Sequence, residues 1–276
     1  MKYWKAILFI GGVLYCLAGN AQQFYFIPPQ TIKPYQLLNF DSDLNPNKKN
    51  DYPLRMDSFN ISKQITLGEY KEYLRSVKTT APGDFYKKQV PDTSIVTKEN
   101  YNRYITDKKY DSYPAIGISW EAAMNFCKWK TLQENKSDDI KYIYRLPKFS
   151  EWLGAYDYLE RNNYENDLSK HYSDWTLSFY YDAYYSNKDS SFMYDLYYFP
   201  EHNAKPRARR VRAIGNSFLF QCERLVDLSG PFYTYNGYRQ VAFRIVKEYT
   251  NDNSKLVSSI LKYWQLDTPG IENTRK

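Results

Sequence analysis

Apolar residues recur at helical spacing in four stretches of the chain. Over residues 66–77, Leu67, Tyr70, Tyr73, Leu74 and Val77 share one side of a 3.6-residue repeat, and Thr66 stands where an N-cap belongs. Residues 119–133 predict a second helix, capped by Ser119 and flanked by Glu121 and Glu134, with Ala122, Ala123, Phe126, Cys127, Lys130 and Leu132 filling its turns. A third opens just after Pro147 and runs over 148–160. The fourth, 255–266, gathers Leu256, Val257, Ile260, Leu261 and Trp264 on one side. Strand-like runs occupy Val211–Phe220 and Gln240–Tyr249.

Between these elements the pattern breaks down. Residues 22–50 are rich in Pro, Gln, Asn and Lys, with Pro28, Pro29 and Pro34 early, and read as an extended arm. Residues 79–112 and 161–210 are polar and aperiodic, and no internal repeat is visible. Loops this long usually count against an assignment. Here they point to an α+β fold with little regular structure.

The first 21 residues carry a different pattern. Lys2 and Lys5 precede an apolar stretch from Ala6 to Ala18, and Gly19 and Ala21 occupy the −3 and −1 positions of a signal-peptidase site. The stretch is too short for a membrane-spanning helix. Export with cleavage before Gln22 is the expectation. Retention as an uncleaved anchor and lipidation at Cys16 are the alternatives, the second opposed by Tyr15, where a lipobox needs a small residue.

Composition narrows the class. Of 276 residues, 43% are hydrophobic and 25% charged, which excludes a disordered or fibrous chain. A mean hydropathy of −0.71 excludes a multi-spanning membrane protein. Removing the leader takes away two lysines and no acid, so net charge falls from +7 to +5. Three cysteines cannot build a disulfide scaffold. Thirty tyrosines against 15 Phe and 6 Trp suit half-buried positions or a binding surface, because the ring buries area while the hydroxyl keeps a partner.

Four segments, in order, resemble the sulfatase-modifying-factor domain of formylglycine-generating enzymes. Phe59-Asn-Ile-Ser-Lys-Gln-Ile-Thr-Leu-Gly-Glu-Tyr70 is similar to the family's opening strand and helix start. Tyr113-Pro-Ala-Ile-Gly-Ile-Ser-Trp-Glu-Ala-Ala-Met-Asn-Phe-Cys-Lys-Trp129 is similar to its "PVvgVSWeDAxxYCxW" segment. Tyr144-Arg-Leu-Pro-Lys-Phe-Ser-Glu-Trp152 resembles "yRLPTEAEWE". Val211-Arg-Ala-Ile-Gly-Asn-Ser-Phe218 with Ala242-Phe243-Arg244 resembles "RGGSW…GFR". The resemblance covers roughly residues 52–248 and implies a variant C-type-lectin-like fold. The plan is then a leader at 1–21, an arm at 22–50, the family-like domain at 51–249, and a helix and tail at 250–276. In such a domain Thr66, Ser119, Trp120, Arg145, Leu146, Pro147, Glu151, Trp152, Gly215, Phe243 and Arg244 are structural, with Arg145 and Glu151 expected to pair across the Pro147 turn.

The chain departs from the enzymes where their chemistry lies. The resemblance implies two cysteines, three and eight residues after the motif serine, that hold copper as thiolates. From Ser217 these positions are Phe220 and Leu225; Cys222 falls between them and stands alone. A shifted single-cysteine site on the same strand face is the minor alternative. The resemblance also allows a Cys127–Cys222 disulfide. Iron-dependent relatives need a histidine cluster, and only His171 and His202 are present. The family's calcium segment is matched weakly by Lys170-His-Tyr-Ser-Asp-Trp-Thr176, leaving Asp174 and Asp182 as weak calcium candidates, otherwise read as solvated loop acids. No cofactor is expected.

Lys205, Arg207, Arg209, Arg210 and Arg212 pack five positive charges into eight residues. A solvated basic loop or a surface for an anionic envelope partner is the expectation, rather than nucleic acid, which an exported protein seldom meets. Taken together, the sequence predicts a non-catalytic binding or scaffold protein of the bacterial envelope, loosely like gliding-motility and type IX secretion lipoproteins. It would join the envelope through a protein partner, with membrane association only through that partner. A degenerate oxidoreductase, or a lectin-like glycan or peptide binder using tyrosines within Phe179–Tyr185, are the competing readings.

Overall fold

The computed structural model describes residues 24–33, 53–93, 98–135, 140–162, 164, 168, 172–179, 210–215, 227–250 and 255–267. The leader, Cys16, Cys222, Phe220, Leu225, Asp182, Lys205, Arg207, Arg209 and both histidines lie outside them.

Ten strands and six helices form an α+β architecture among these residues. The strands are β1 (Phe24–Ile27), β2 (Gln30–Ile32), β3 (Leu54–Met56), β4 (Phe59–Ser62), β5 (Tyr142–Arg145), β6 (Ser173–Phe179), β7 (Arg210–Ile214), β8 (Asp227–Tyr233), β9 (Val241–Phe243) and β10 (Val246–Tyr249). The helices are α1 (Leu67–Thr80), α2 (Gly83–Gln89), α3 (Lys98–Thr106), α4 (Trp120–Glu134), α5 (Phe149–Arg161) and α6 (Lys255–Asp267). One sheet has the order β1-β4-β10-β5 and another β8-β7-β6-β9; β2 and β3 form a separate ribbon. Among the described strands only β6 and β9 run parallel.

The four predicted helices form: three within a residue of their expected limits, and α1 three residues beyond its expected end, to Thr80. In α1 the five predicted apolar positions are the buried ones, and Thr66 caps it. The Thr66 hydroxyl accepts from the Glu69 amide at 3.2 Å, and the Glu69 carboxylate accepts from the Thr66 amide at 2.9 Å. This reciprocal box satisfies two amides that a helix start leaves open.

Elsewhere the sequence pattern misleads. The arm contributes β1 and β2, and β1 pairs antiparallel with β4 from Phe24 opposite Ser62 to Ile27 opposite Phe59. Helices α2 and α3 occupy a stretch expected to be irregular. The first is only seven residues long, and the second is mostly polar, with its apolar side reduced to Tyr101, Tyr104 and Ile105. Strand β6 lies in the stretch read as aperiodic, and β8 lies between the two strand-like runs.

The first sheet separates two apolar clusters. On one face Tyr25, Ile27, Phe59, Ile61 and Val246 meet Phe149, Trp152 and Leu153 of α5. On the other, Tyr144 joins the cluster of α1 and α4, where Tyr70, Tyr73, Trp120, Phe126 and Cys127 are buried. Helix α4 is buried over most of its surface rather than on a single face, including Lys128, whose ammonium donates to the Trp264 carbonyl of α6 at 2.7 Å.

Tyrosine is used deeply here, not only at half-buried positions. Tyr70 and Tyr73 are fully buried, and their hydroxyls donate to the Gln89 backbone carbonyl at 2.6 Å and its side-chain oxygen at 2.9 Å. Burial pushes both phenols to a higher pKa, so they remain neutral donors. Each ring fills core volume while its polar tip is satisfied.

Candidate functional site: two ionic nodes and a charged groove

Arg145 ends β5, and Pro147 turns the chain directly into α5. That short path brings the guanidinium back over the first turn of the helix. It grips Glu151 with two parallel bonds, both 2.7 Å, and its Nε donates to Glu248 of β10. Glu151 also accepts from the Lys148 amide at 2.7 Å, so it closes the start of α5. Arg145 and Glu151 are buried, as expected across the Pro147 turn. Burial opposes both charges, but the partners prevail: the Arg145 pKa is raised by Glu151 and Glu248, and Glu151 is held below the usual range by Arg145.

A second node lies where the chain passes from one sheet to the other. Arg244 and Ile245 connect β9 to β10. Arg244 is fully buried, and its Nε donates to the Asp174 carboxylate of β6 at 2.7 Å. Trp152 donates its indole N–H to the same oxygen at 2.9 Å, and Gln64 donates to the other at 2.9 Å. Arg244 also reaches the Ser62 carbonyl at 3.3 Å. Asp174 is therefore not the solvated loop acid expected from its sequence context. It is a fully buried counter-ion holding α5, both sheets and the segment after β4 in register.

The remaining motif residues also build the scaffold. Ser119 accepts from the Ala122 amide at 3.1 Å and caps α4. Trp120 donates to the Thr176 carbonyl at 2.8 Å, and Trp175 donates to the Ile118 carbonyl at 2.9 Å, so two indoles lock α4 against β6. Gly215 adopts φ 105°, a left-handed backbone that suits glycine, and its carbonyl accepts from Ser173 at 2.8 Å. Leu146 and Phe243 are fully buried, and Pro147 is buried. Arg210 and Arg212 lie in β7, so the basic run is not wholly a loop.

Among the described residues the only cysteine is Cys127, a free and fully buried thiol. Burial raises its pKa, which keeps it protonated and inert. No group of three or more His, Cys, Asp and Glu converges among the described residues in a way that could hold a metal. No described helix is long and apolar enough to cross a membrane.

The concave feature near the first node is a groove of 510 Å³. It opens where β4 and β10 stop pairing. Their ladder joins only Val246 with Ile61 and Lys247 with Asn60, while β10 continues beside β5 to Tyr249. Arg145, Glu151 and Glu248 lie along the groove, with Arg55, Lys148 and Lys247 also lining it. Lys247 Nζ sits 3.7 Å from the centre of the Tyr142 ring. Phe26 and Tyr249 line it as well, and are 60% and 65% exposed. Sequence reading missed this groove because only Arg145, Lys148, Ser150 and Glu151 of its lining share a motif, and the rest comes from β1, β3, β4, β10 and the segment joining β3 to β4. The hint available was alternation: Lys247 and Tyr249 lie two apart on a strand, as do Tyr142 and Tyr144.

A family model described as the sulfatase-modifying factor enzyme 1-like domain matches residues 35–195, more than half of the chain. Among solved structures, the chain is similar to a crystal structure of CarF, with 11% identity, 82% of this chain and 98% of that chain covered, and a TM-score of 0.47. It is also similar to PvdO from Pseudomonas aeruginosa, with 16% identity, 82% and 94% coverage, and a TM-score of 0.41. No curated protein sequence matches it.

Proposed function

Starting from the premise that this chain belongs to the sulfatase-modifying factor enzyme 1-like domain family, we propose that it is an exported, non-catalytic member that acts as a binding or scaffold component of the bacterial cell envelope. Secretion or gliding machinery is the envelope setting that the sequence resemblance favours.

The observation that carries this reading is the donor set. Copper-dependent thiol oxidation needs two thiolates that converge on one ion. At the two positions where the family pattern carries them, this chain has Phe220 and Leu225, with Cys222 alone between. Cys127 is buried in the interior of α4 with its thiol proton retained, and supplies no second ligand. The residues present do not fit a two-sulfur copper site. One thiolate also cannot resolve a mixed disulfide with a substrate thiol. Calcium fares no better at Asp174, whose two oxygens are already met by Gln64, Trp152 and Arg244.

The motif residues retained by the chain instead hold the scaffold together. Both ionic nodes, the helix caps and the paired indoles position elements and present no reacting group. Export is supported by the leader pattern at 1–21. A glycan- or peptide-binding role is the second reading, favoured by the groove beside Arg145 with its two exposed rings.

Incubation of the mature protein with a cysteine-containing peptide, oxygen and Cu(I) tests the proposal. Unchanged peptide by mass spectrometry is the expected result. Conversion of the peptide cysteine to an aldehyde-bearing residue, dependent on Cys222, would overturn it.

A further inference from the structure

We propose that the groove between β4 and β10 is a binding site for an acidic saccharide, a short chain of sugar rings bearing carboxylates. This deepens the binding-protein reading and rests on it.

Three features of the groove carry the inference. The first is charge. Arg55 and Lys247 both line it, and among the described residues neither has a carboxylate within ion-pair distance. Arg145, by contrast, is saturated by Glu151 and Glu248. Lys247 is held over aromatic rings, with no carboxylate at ion-pair distance, although its charge is felt by Glu134 nearby. Its ammonium lies 3.7 Å from the centre of the Tyr142 ring and within 6 Å of those of Tyr144 and Tyr249. Aromatic rings attract the cation but leave its hydrogen-bond donors free for an incoming anion.

The second is shape. Two of the five large hydrophobic side chains that stand exposed among the described residues, Phe26 and Tyr249, line this one groove. Exposed rings do not stabilise the fold by burial; a flat apolar ligand face laid on them would recover that area. Pyranose rings offer such a face of C–H groups with hydroxyls at the edge.

The third is the polar lining. Asn60 provides an amide and Asp57 a carboxylate that can accept from sugar hydroxyls; the Asp57 charge opposes an anion, and Arg55, Lys148 and Lys247 on the same lining outweigh it. A volume of 510 Å³ falls in the range of small-ligand sites. An acidic peptide shares the charge but has no continuous flat apolar face, so the rings favour the saccharide.

The test is titration calorimetry of the mature protein with trigalacturonate, with the neutral trigalactoside and an Asp-rich peptide of similar length as comparison probes. Trigalacturonate should bind, and raising salt from 50 to 300 mM should weaken it. Tyr249→Ala and Lys247→Gln should each lower its affinity at least tenfold, and Arg55→Gln at least threefold. Tyr249 and Arg55 are exposed, so those variants keep the fold, and circular dichroism checks Lys247→Gln. The neutral trisaccharide should bind at least tenfold more weakly. No binding of trigalacturonate, equal binding of the neutral sugar, affinity untouched by the three substitutions, or tighter binding of the peptide would each overturn the proposal. The parent reading fails separately. Peptide oxidation together with saccharide binding would remove the non-catalytic reading and keep the groove, and inertness to both would do the reverse.

Discussion

Replacing Asp174 with Asn should cost about 3–5 kcal/mol of folding stability. The substitution keeps shape and removes one charge. What it leaves behind is Arg244, fully buried, with its Nε aimed at an amide in place of a carboxylate. The indole of Trp152 and the amide of Gln64 also lose a charged acceptor. Removing one partner of a buried ion pair costs about 3–5 kcal/mol, a figure that already includes the charge left behind. Against a domain stability of about 5–15 kcal/mol, the loss is a large fraction. Arg244→Met should cost a similar amount by exposing the opposite imbalance. The double variant Asp174→Asn with Arg244→Met should be less damaging than the two costs added, by about 2 kcal/mol or more, because neither charge is then stranded. Urea denaturation of the wild type, both single variants and the double variant measures the cycle. Single costs below about 1 kcal/mol, or costs that add to within about 0.5 kcal/mol, would refute the assignment of Asp174 as the counter-ion at the junction of the sheets.

Other outcomes can be checked more briefly. Glu151 has a folded pKa below its ordinary value of 4.5, so its contribution is fully present above the unfolded value and is lost as pH falls through the folded one. Glu151→Gln should therefore flatten the acid limb of a stability–pH curve below pH 4.5, which denaturant midpoints across pH 2–7 will show. Cys127 should resist thiol reagents in the native protein, and Cys127→Ser should cost about 1–3 kcal/mol through a buried hydroxyl; rapid native labelling at Cys127 would contradict its burial. Thr66→Ala should cost about 1 kcal/mol by opening the capping box of α1, read as a shift in urea midpoint. Intact mass of the protein recovered from the periplasm should begin at Gln22, and a mass retaining Met1–Ala21 or a lipid on Cys16 would refute export by cleavage.

Much of the scaffold is readable from local signals. Thr66 with Glu69, and Ser119 ahead of Trp120, mark helix starts because capping is decided within four residues. The Arg145–Glu151 pair is legible for the same reason, since a proline turn and one helical turn separate the two. Contacts between distant segments are not. Asp174 looked like a solvated acid because Gln64, Trp152 and Arg244 converge on it from 22 to 110 residues away. Strand β1 was hidden in a Pro-rich segment, and its partner β4 lies more than thirty residues further on. The tyrosine excess was visible from composition, but Gln89, which makes the burial of Tyr70 and Tyr73 affordable, sits on a short helix with no apolar period. The groove was invisible for a related reason: its residues become neighbours only where β4 and β10 separate.

The proposed non-catalytic reading rests on Phe220 and Leu225 standing where the sequence resemblance implies a thiolate pair. Anaerobic titration of the mature protein with Cu(I), against a competing chelator, tests it most directly, with Cys222→Ser as the comparison. The account predicts no tight stoichiometric site in either protein, so the two titrations should superimpose. Tight binding of one equivalent, abolished by Cys222→Ser, would contradict it.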